Sequence, residues 1–210
     1  MIRIIKSTDV PHGLHLAYNH ESVSTQILND QNNKCYLCER IMVTNYQIDH
    51  LIPVSRYPEK EKEWTNLFCA CDYCNGRKSD GWNGLASPTG YHVEEVIMQT
   101  NNFADKKVVF NSEDGSEGIT QTVLLLTRLF NGKNGLRNMK DKRFYEYFIH
   151  KINVFQVAVD CFLQDKSDEN RLIIKQHLDC KEEFLGFKYW IIKSHSELNE
   201  EFAPDIIWTT

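Results

Sequence analysis

The chain has no apolar run long enough to span a bilayer: the longest aliphatic stretch of its second half is Val123 to Leu126. A membrane helix needs about 20 such residues. The opening "MIRIIKSTDV" has no extended apolar core of the kind a secretory leader carries, so the expected setting is the cytoplasm. No excess of positive charge is present either. With a net charge of −5, the protein does not coat nucleic acid by bulk attraction. Internal repeats and low-complexity tracts are also missing. What remains, 41% hydrophobic and 25% charged residues over 210 positions, is the composition of an ordinary packed protein of one or two domains.

Charge is distributed unevenly. Between Arg128 and Lys151 seven Lys or Arg face two acidic residues, whereas from Asp160 to Asp205 eleven acidic residues face six basic ones. Solvated helix faces account for both, and the basic segment is also a weak pointer to a polyanion. Seven cysteines are an odd number for a disulfide framework. In a reducing compartment metal ligation is the better use of thiols.

Four of the seven are spaced as ligands. Cys35-x-x-Cys38 and Cys71-x-x-Cys74 form two knuckles, and four thiolates satisfy tetrahedral zinc with no open position. Such a site is a structural clamp. A Cys-x-x-Cys pair alone also suits a redox couple, and buried thiols also pack as small apolar groups. Cys69, two residues before Cys71, is an alternative ligand; Cys161 and Cys180 have no such spacing.

Loose apolar spacing through Leu14, Tyr18, Val23, Ile27 and Leu28 predicts a helix over 14–33 ending at an Asn-rich stop. The β-branched and aromatic run at 41–49 predicts a strand arriving at Asp49-His50, and Pro53 ends its pairing. A polar loop at 54–65, a short strand at 66–70 and a helix capped by Asp72 and stopped near Gly81 complete a strand, loop, strand, helix unit. Beyond a Gly/Pro/Ser-rich connection at 81–90, a hairpin with "NSEDGSEG" as its turn precedes helix from Ile119 to about Leu198. Leu129, Asn131 and Leu136-Arg137 are candidates for a turn docking this half on the first. The aromatic stripe of Phe144, Tyr145, Phe148, Phe155 and Phe162 is read as core or partner burial rather than as a base-stacking surface. The expected organisation is an N-terminal helical segment at 1–34, a metal-clamped unit at 35–90, a mainly helical region at 91–198 and a tail at 199–210. In that tail Ile206, Ile207 and Trp208 suit either docking or a frayed end.

The stretch "QIDHLIP", then "WTNLFCACDYCNGRK", resembles the HNH, or ββα-metal, nuclease motif: Asp-His-x-x-Pro, Asn-Leu, Cys-x-x-Cys-Asn-x-x-Lys. The fold class implied is α+β, a small ββα-metal unit clamped by a four-cysteine zinc site and packed with a mostly helical C-terminal region. The resemblance implies that His50 is the general base, a role suited to the side chain that titrates in the physiological range. It implies that Asp49 and Asn75 hold a catalytic divalent ion. Their hard oxygens favour Mg²⁺ or Mn²⁺ over zinc. Asp49 neighbours His50 on a strand, so both serve one cleft if the strand ends there. Asn66 is implied to brace the loop after His50, and Arg77 and Lys78 to contact phosphates beside the scissile one. Asparagine stands at 75 where many members have histidine, and Ser79 where some have another.

Less closely, "MIRIIKSTDVPHGL", "KCYLCE", "RYPEKEKEWTNL" and "GITQTVLLLTRLFNGKNGLRN" resemble the HNH proteins of bacterial Septu and retron-Septu anti-phage systems. That resemblance implies an ABC-type ATPase partner and a nucleic-acid substrate, DNA or RNA. Two readings compete with it: a zinc-clamped binding module without hydrolysis, and a stand-alone restriction-type nuclease.

Overall fold

The computed structural model describes residues 1–90 and 92–206, which include neither Ile207 nor Trp208 of the tail. A short 3₁₀ turn at His12–His15 leads to helix α1, Glu21–Asp30. The single helix expected over 14–33 is therefore two pieces. His20 sits in extended backbone between them and its ring accepts from the Ser22 N–H, so it caps α1. Leu14, Val23 and Ile27 are all buried, but from separate elements. Asn32 and Asn33, both at positive φ, end the helix, a conformation asparagine tolerates better than most residues.

Strands β1, Tyr46–His50, and β2, Leu67–Cys71, form an antiparallel ribbon with Asp49 opposite Phe68 and His50 opposite Leu67. Residues 41–45 of the expected first strand lie outside it, apart from one bridge between Lys34 and Ile41. The outer edge of β2 is not left bare. Gln31 accepts from the Cys69 N–H and donates to its carbonyl, and the Tyr36 N–H reaches the same oxygen. Backbone groups that would otherwise be buried unpaired are thus satisfied from the turn carrying the first knuckle. Helix α2, Asp72–Lys78, follows β2 directly. Its N-cap position is Cys71, with Asp72 inside the first turn rather than capping it.

A four-residue helix α3, Val93–Val96, precedes a second antiparallel ribbon, β3 (Met98–Asn102) with β4 (Lys107–Asn111). Its turn is residues 103–106, where the Asn102 and Asp105 side chains and backbone bond each other and Lys106 takes positive φ. The "NSEDGSEG" segment instead leads from β4 into helix α4, Glu117–Asn131. Four more helices follow: α5 (Met139–Gln164), α6 (Asp168–His177), α7 (Leu185–Lys193) and α8 (Ser196–Phe202). Gly186 in α7 is a required glycine, because a Cβ there would meet the Gln99 amide at 2.5 Å.

One apolar core joins the β1–β2–α2 unit, α1, the second ribbon, α4 and the first half of α5. A second joins the rest of α5 to α6, α7 and α8. Phe130 lies at the heart of the first, with Phe110, Phe144, Phe148 and Phe187 around it at ring separations of 5.0 to 5.4 Å. Of the aromatic stripe, Phe144, Phe148, Phe155 and Phe162 are buried and Tyr145 is partly exposed. The expected boundary at residue 199 falls inside α8, whose Leu198 and Phe202 are fully buried; Ile206 packs on the same core. The described part of the tail therefore belongs to the chain's own core. No described helix is long and apolar enough to cross a membrane.

Candidate active site and metal centre

The ribbon and α2 bring the two knuckles together. Cys35, Cys38, Cys71 and Cys74 are buried, and their sulfurs all lie within 4.8 Å of one another. A tetrahedron with metal–sulfur bonds of about 2.3 Å has edges of about 3.8 Å. Cys38 and Cys71 stand 3.9 Å apart. The set is thus shaped for one tetrahedral ion of the zinc type. Burial pushes the Cys38 and Cys74 thiols well up, while hydrogen bonds from Cys35, Cys38 and Cys74 hold the Cys71 thiol down. Cys69 is outside the cluster; burial raises its thiol to about 12. Sequence reasoning missed Arg40. Burial opposes its charge, but the Cys38 and Cys71 sulfurs raise its pKa above the ordinary value, and it offsets negative charge at the cluster.

β1 ends at His50, so Asp49 and His50 are the last two residues of the strand and their side chains leave it in different directions. Their partners differ accordingly. Asp49 is 9% exposed, accepting from the Tyr36 hydroxyl at 2.6 Å and the Lys78 ammonium at 3.1 Å. Lys78, itself buried, donates also to the His50 carbonyl at 2.7 Å. His50 keeps a partly exposed ring beside Tyr18, and its Nε2 lies 3.0 Å from the Glu61 carbonyl. A carbonyl only accepts, so Nε2 carries hydrogen, and in the neutral ring Nδ1 is the bare nitrogen.

Asn66, 2% exposed, accepts from the Ile52 N–H at 2.7 Å and donates to the Ile52 and Lys60 carbonyls. It ties both sides of the loop that supplies Glu61 to the end of β1. Asn75 projects from α2 toward β1 and donates to the Gln47 side chain, on the same face as Asp49. Its amide oxygen has no protein donor among the described residues. Asp49 on β1 and Asn75 on α2 carry carboxylate and amide oxygens, donors of the kind a hard divalent ion takes. The Lys78 ammonium occupies one oxygen of that carboxylate.

Both basic residues of α2 are engaged by protein partners. The Arg77 guanidinium lies over the Tyr73 ring at 3.7 Å and pairs with Asp141 of α5, its Nε at 3.1 Å. Asp141 also completes a capping box with Asn138, and the Tyr73 hydroxyl donates to it and to the Leu129 carbonyl. These bonds seat α2 on the helical half. Leu129 is therefore at the junction, whereas Asn131 and Arg137 bond the second ribbon and Leu136 is exposed. No local signal marks Tyr36 or Glu61, or the pairing of Lys78 with Asp49, because these contacts span 11 to 29 positions.

Residues 35–81 match the family model of the HNH endonucleases. The segment that builds the thiol cluster and the β1–β2–α2 site is thus an HNH nuclease domain within an α+β fold. Among curated proteins, the chain is 34% identical over 59 residues to the Septu protein PtuB of Bacillus thuringiensis. That stretch is 27% of this chain and 23% of the relative.

Proposed function

We propose that the protein is a divalent-metal-dependent HNH endonuclease that hydrolyses phosphodiester bonds in DNA or RNA. We propose further that it is the nuclease subunit of a cytoplasmic anti-phage complex with a PtuA-like ABC-type ATPase, a reading that rests on the likeness to PtuB. The observation that carries the catalytic reading is the fixed tautomer of His50. The Glu61 carbonyl takes the Nε2 hydrogen, so Nδ1 is left to accept a proton from an attacking water. Asn66 acts as a positioning residue, since the loop it ties carries that carbonyl. Asp49 and Asn75 would hold Mg²⁺ or Mn²⁺, which when bound supplies neutralisation of charge on the phosphoryl oxygens. Lys78 becomes available to a phosphate only when it leaves Asp49. The four cysteines would hold structural zinc, which closes the small unit and contributes to its folding.

The test is His50→Ala, incubated with plasmid DNA and with total RNA, alone and with the ATPase. Folding, zinc content and nucleic-acid binding persist while cleavage falls by about 10²-fold or more. Wild-type cleavage by that variant, with contaminating nuclease excluded, would overturn the mechanism. The Lys78 ammonium on Asp49 favours one alternative, a zinc-clamped binding module in which that pair is permanent. Absence of cleavage by the wild-type complex together with intact nucleic-acid binding would establish it.

A further inference from the structure

Much of the basic charge of residues 128–151 faces solvent: Lys133, Lys140, Lys142 and Arg143 are exposed. Between the β3–β4 turn and the start of α5 lies a groove of about 710 Å³ bordered by Lys106 and Lys142. Phe103 and Leu136 stand on its rim, 52% and 77% exposed, and Glu146 is its acidic lining residue. Large apolar groups gathered beside lysines on one concave surface indicate an occupant both apolar and negatively charged.

Arg137 narrows the choice. Its Nε donates to the Phe130 carbonyl at 2.8 Å, Nη1 to the Lys106 carbonyl at 2.5 Å and Nη2 to the Asn131 side chain at 2.7 Å. Its guanidinium lies 3.7 Å from the Tyr145 ring centre. With three of its five N–H donors given to protein acceptors, the group is held in place and serves the groove as a rigid flat panel. Aromatic rings and guanidinium planes are surfaces on which unstacked bases stack, and lysines to either side are placed for the phosphates. Position agrees with this. Tyr145 is one helical turn, about 6 Å, beyond Asp141, and Asp141 holds Arg77 of α2. The groove therefore opens beside the helix that carries Asn75.

We infer that this groove holds a single-stranded stretch of the nucleic-acid substrate, its bases over the Arg137–Tyr145 panel and the Phe103 ring and its phosphates against Lys106 and Lys142. That the strand is the substrate rests on the nuclease reading above; that the groove binds it does not. The competing occupant is an acidic segment of a partner protein.

The test measures fluorescence anisotropy of a labelled single-stranded DNA oligonucleotide, and separately of its RNA counterpart, against salt. Full-length protein in a His50→Ala background prevents cutting, and zinc content and circular dichroism confirm folding. Lys106→Glu with Lys142→Glu lowers the slope of log affinity against log salt by about 1.4, since each phosphate contact on a single strand contributes about 0.7. Phe103→Ala weakens binding about tenfold, as expected for one lost stacked base. Lys181→Glu, an exposed control outside the groove, changes neither. The DNA and RNA arms tell which strand the groove prefers. Unchanged affinity and slope in the groove variants overturns the inference, as does failure of the parent protein to bind either strand. Loss of ATPase association with oligonucleotide affinity intact also overturns it and assigns the groove to protein docking. If the groove variants lose binding but the wild-type complex cuts nothing, the inference stands and the nuclease reading falls.

Discussion

Replacing Lys78 by methionine tests whether its ammonium and a divalent ion compete for Asp49. Methionine keeps an unbranched chain of similar length but removes the ammonium that bonds the Asp49 carboxylate and the His50 carbonyl. Asp49, 9% exposed, is then left with the Tyr36 hydroxyl as its donor. Breaking a buried ion pair by removing one partner costs about 3–5 kcal/mol. Relief of the cost of burying the lysine itself brings the expected loss to about 3 kcal/mol, or about 6–12 °C in Tm for a chain of this size. Mn²⁺ should restore much of that loss, because a cation can then take the vacated carboxylate oxygen. At a hundred times its Kd the restored amount is about 2.7 kcal/mol. The assay is denaturation followed by circular dichroism with and without Mn²⁺ for wild type, Lys78→Met and Lys78→Met/Asp49→Asn. Lys78→Met should gain more from Mn²⁺ than wild type does, and the double variant should gain little. Equal stabilisation of wild type and Lys78→Met by Mn²⁺ would refute the claim that the ammonium and the ion compete.

Wild type should carry about one tightly held zinc per chain, Cys35→Ser should lack it and Cys69→Ser should keep it, as read by elemental analysis of folded protein. Asp141→Ala removes both the α5 capping box and the partner of Arg77 and Tyr73. A loss of about 3 kcal/mol is expected, about 1 from the cap and the rest from the charged hydrogen bonds, measured by chemical denaturation. Lys6 lies partly buried against Trp64, and desolvation pulls its pKa from 10.5 down to about 7. Between pH 7 and 10.5 the unfolded chain therefore binds a proton that the folded chain does not, so stability rises with pH there, by at most about 1.4 kcal/mol per unit. Wild type minus Lys6→Met should show this rise, and a flat difference would contradict it.

The unit around the two knuckles was legible in the sequence because its signals are local. Two Cys-x-x-Cys pairs, β-branched runs and a helix stop each constrain a few neighbouring residues, and metal chemistry needs particular residue types at particular spacings. The hairpin turn was misplaced because "NSEDGSEG" has strong turn composition. The turn at 103–106 depends instead on side-chain bonds from Asn102 and Asp105. Apolar spacing points to one helix over 14–33 where there are two short pieces, because it cannot distinguish one helix from two that bury the same residues in one core.

Only tertiary structure decided what Asp49, Lys78 and Arg77 touch. A helix of seven residues directs its side chains over most of its circumference, and which face meets β1 and which meets α5 depends on packing between distant segments. That packing turned Arg77 to Asp141 and Lys78 to Asp49, two cations that composition alone would leave in solvent. It also gave His50 a carbonyl eleven residues away and thereby a defined tautomer. The sequence by itself determined which chemical groups the HNH segment contains; the fold determined which are free to act, because hydrogen-bond partners are assigned by distance in space.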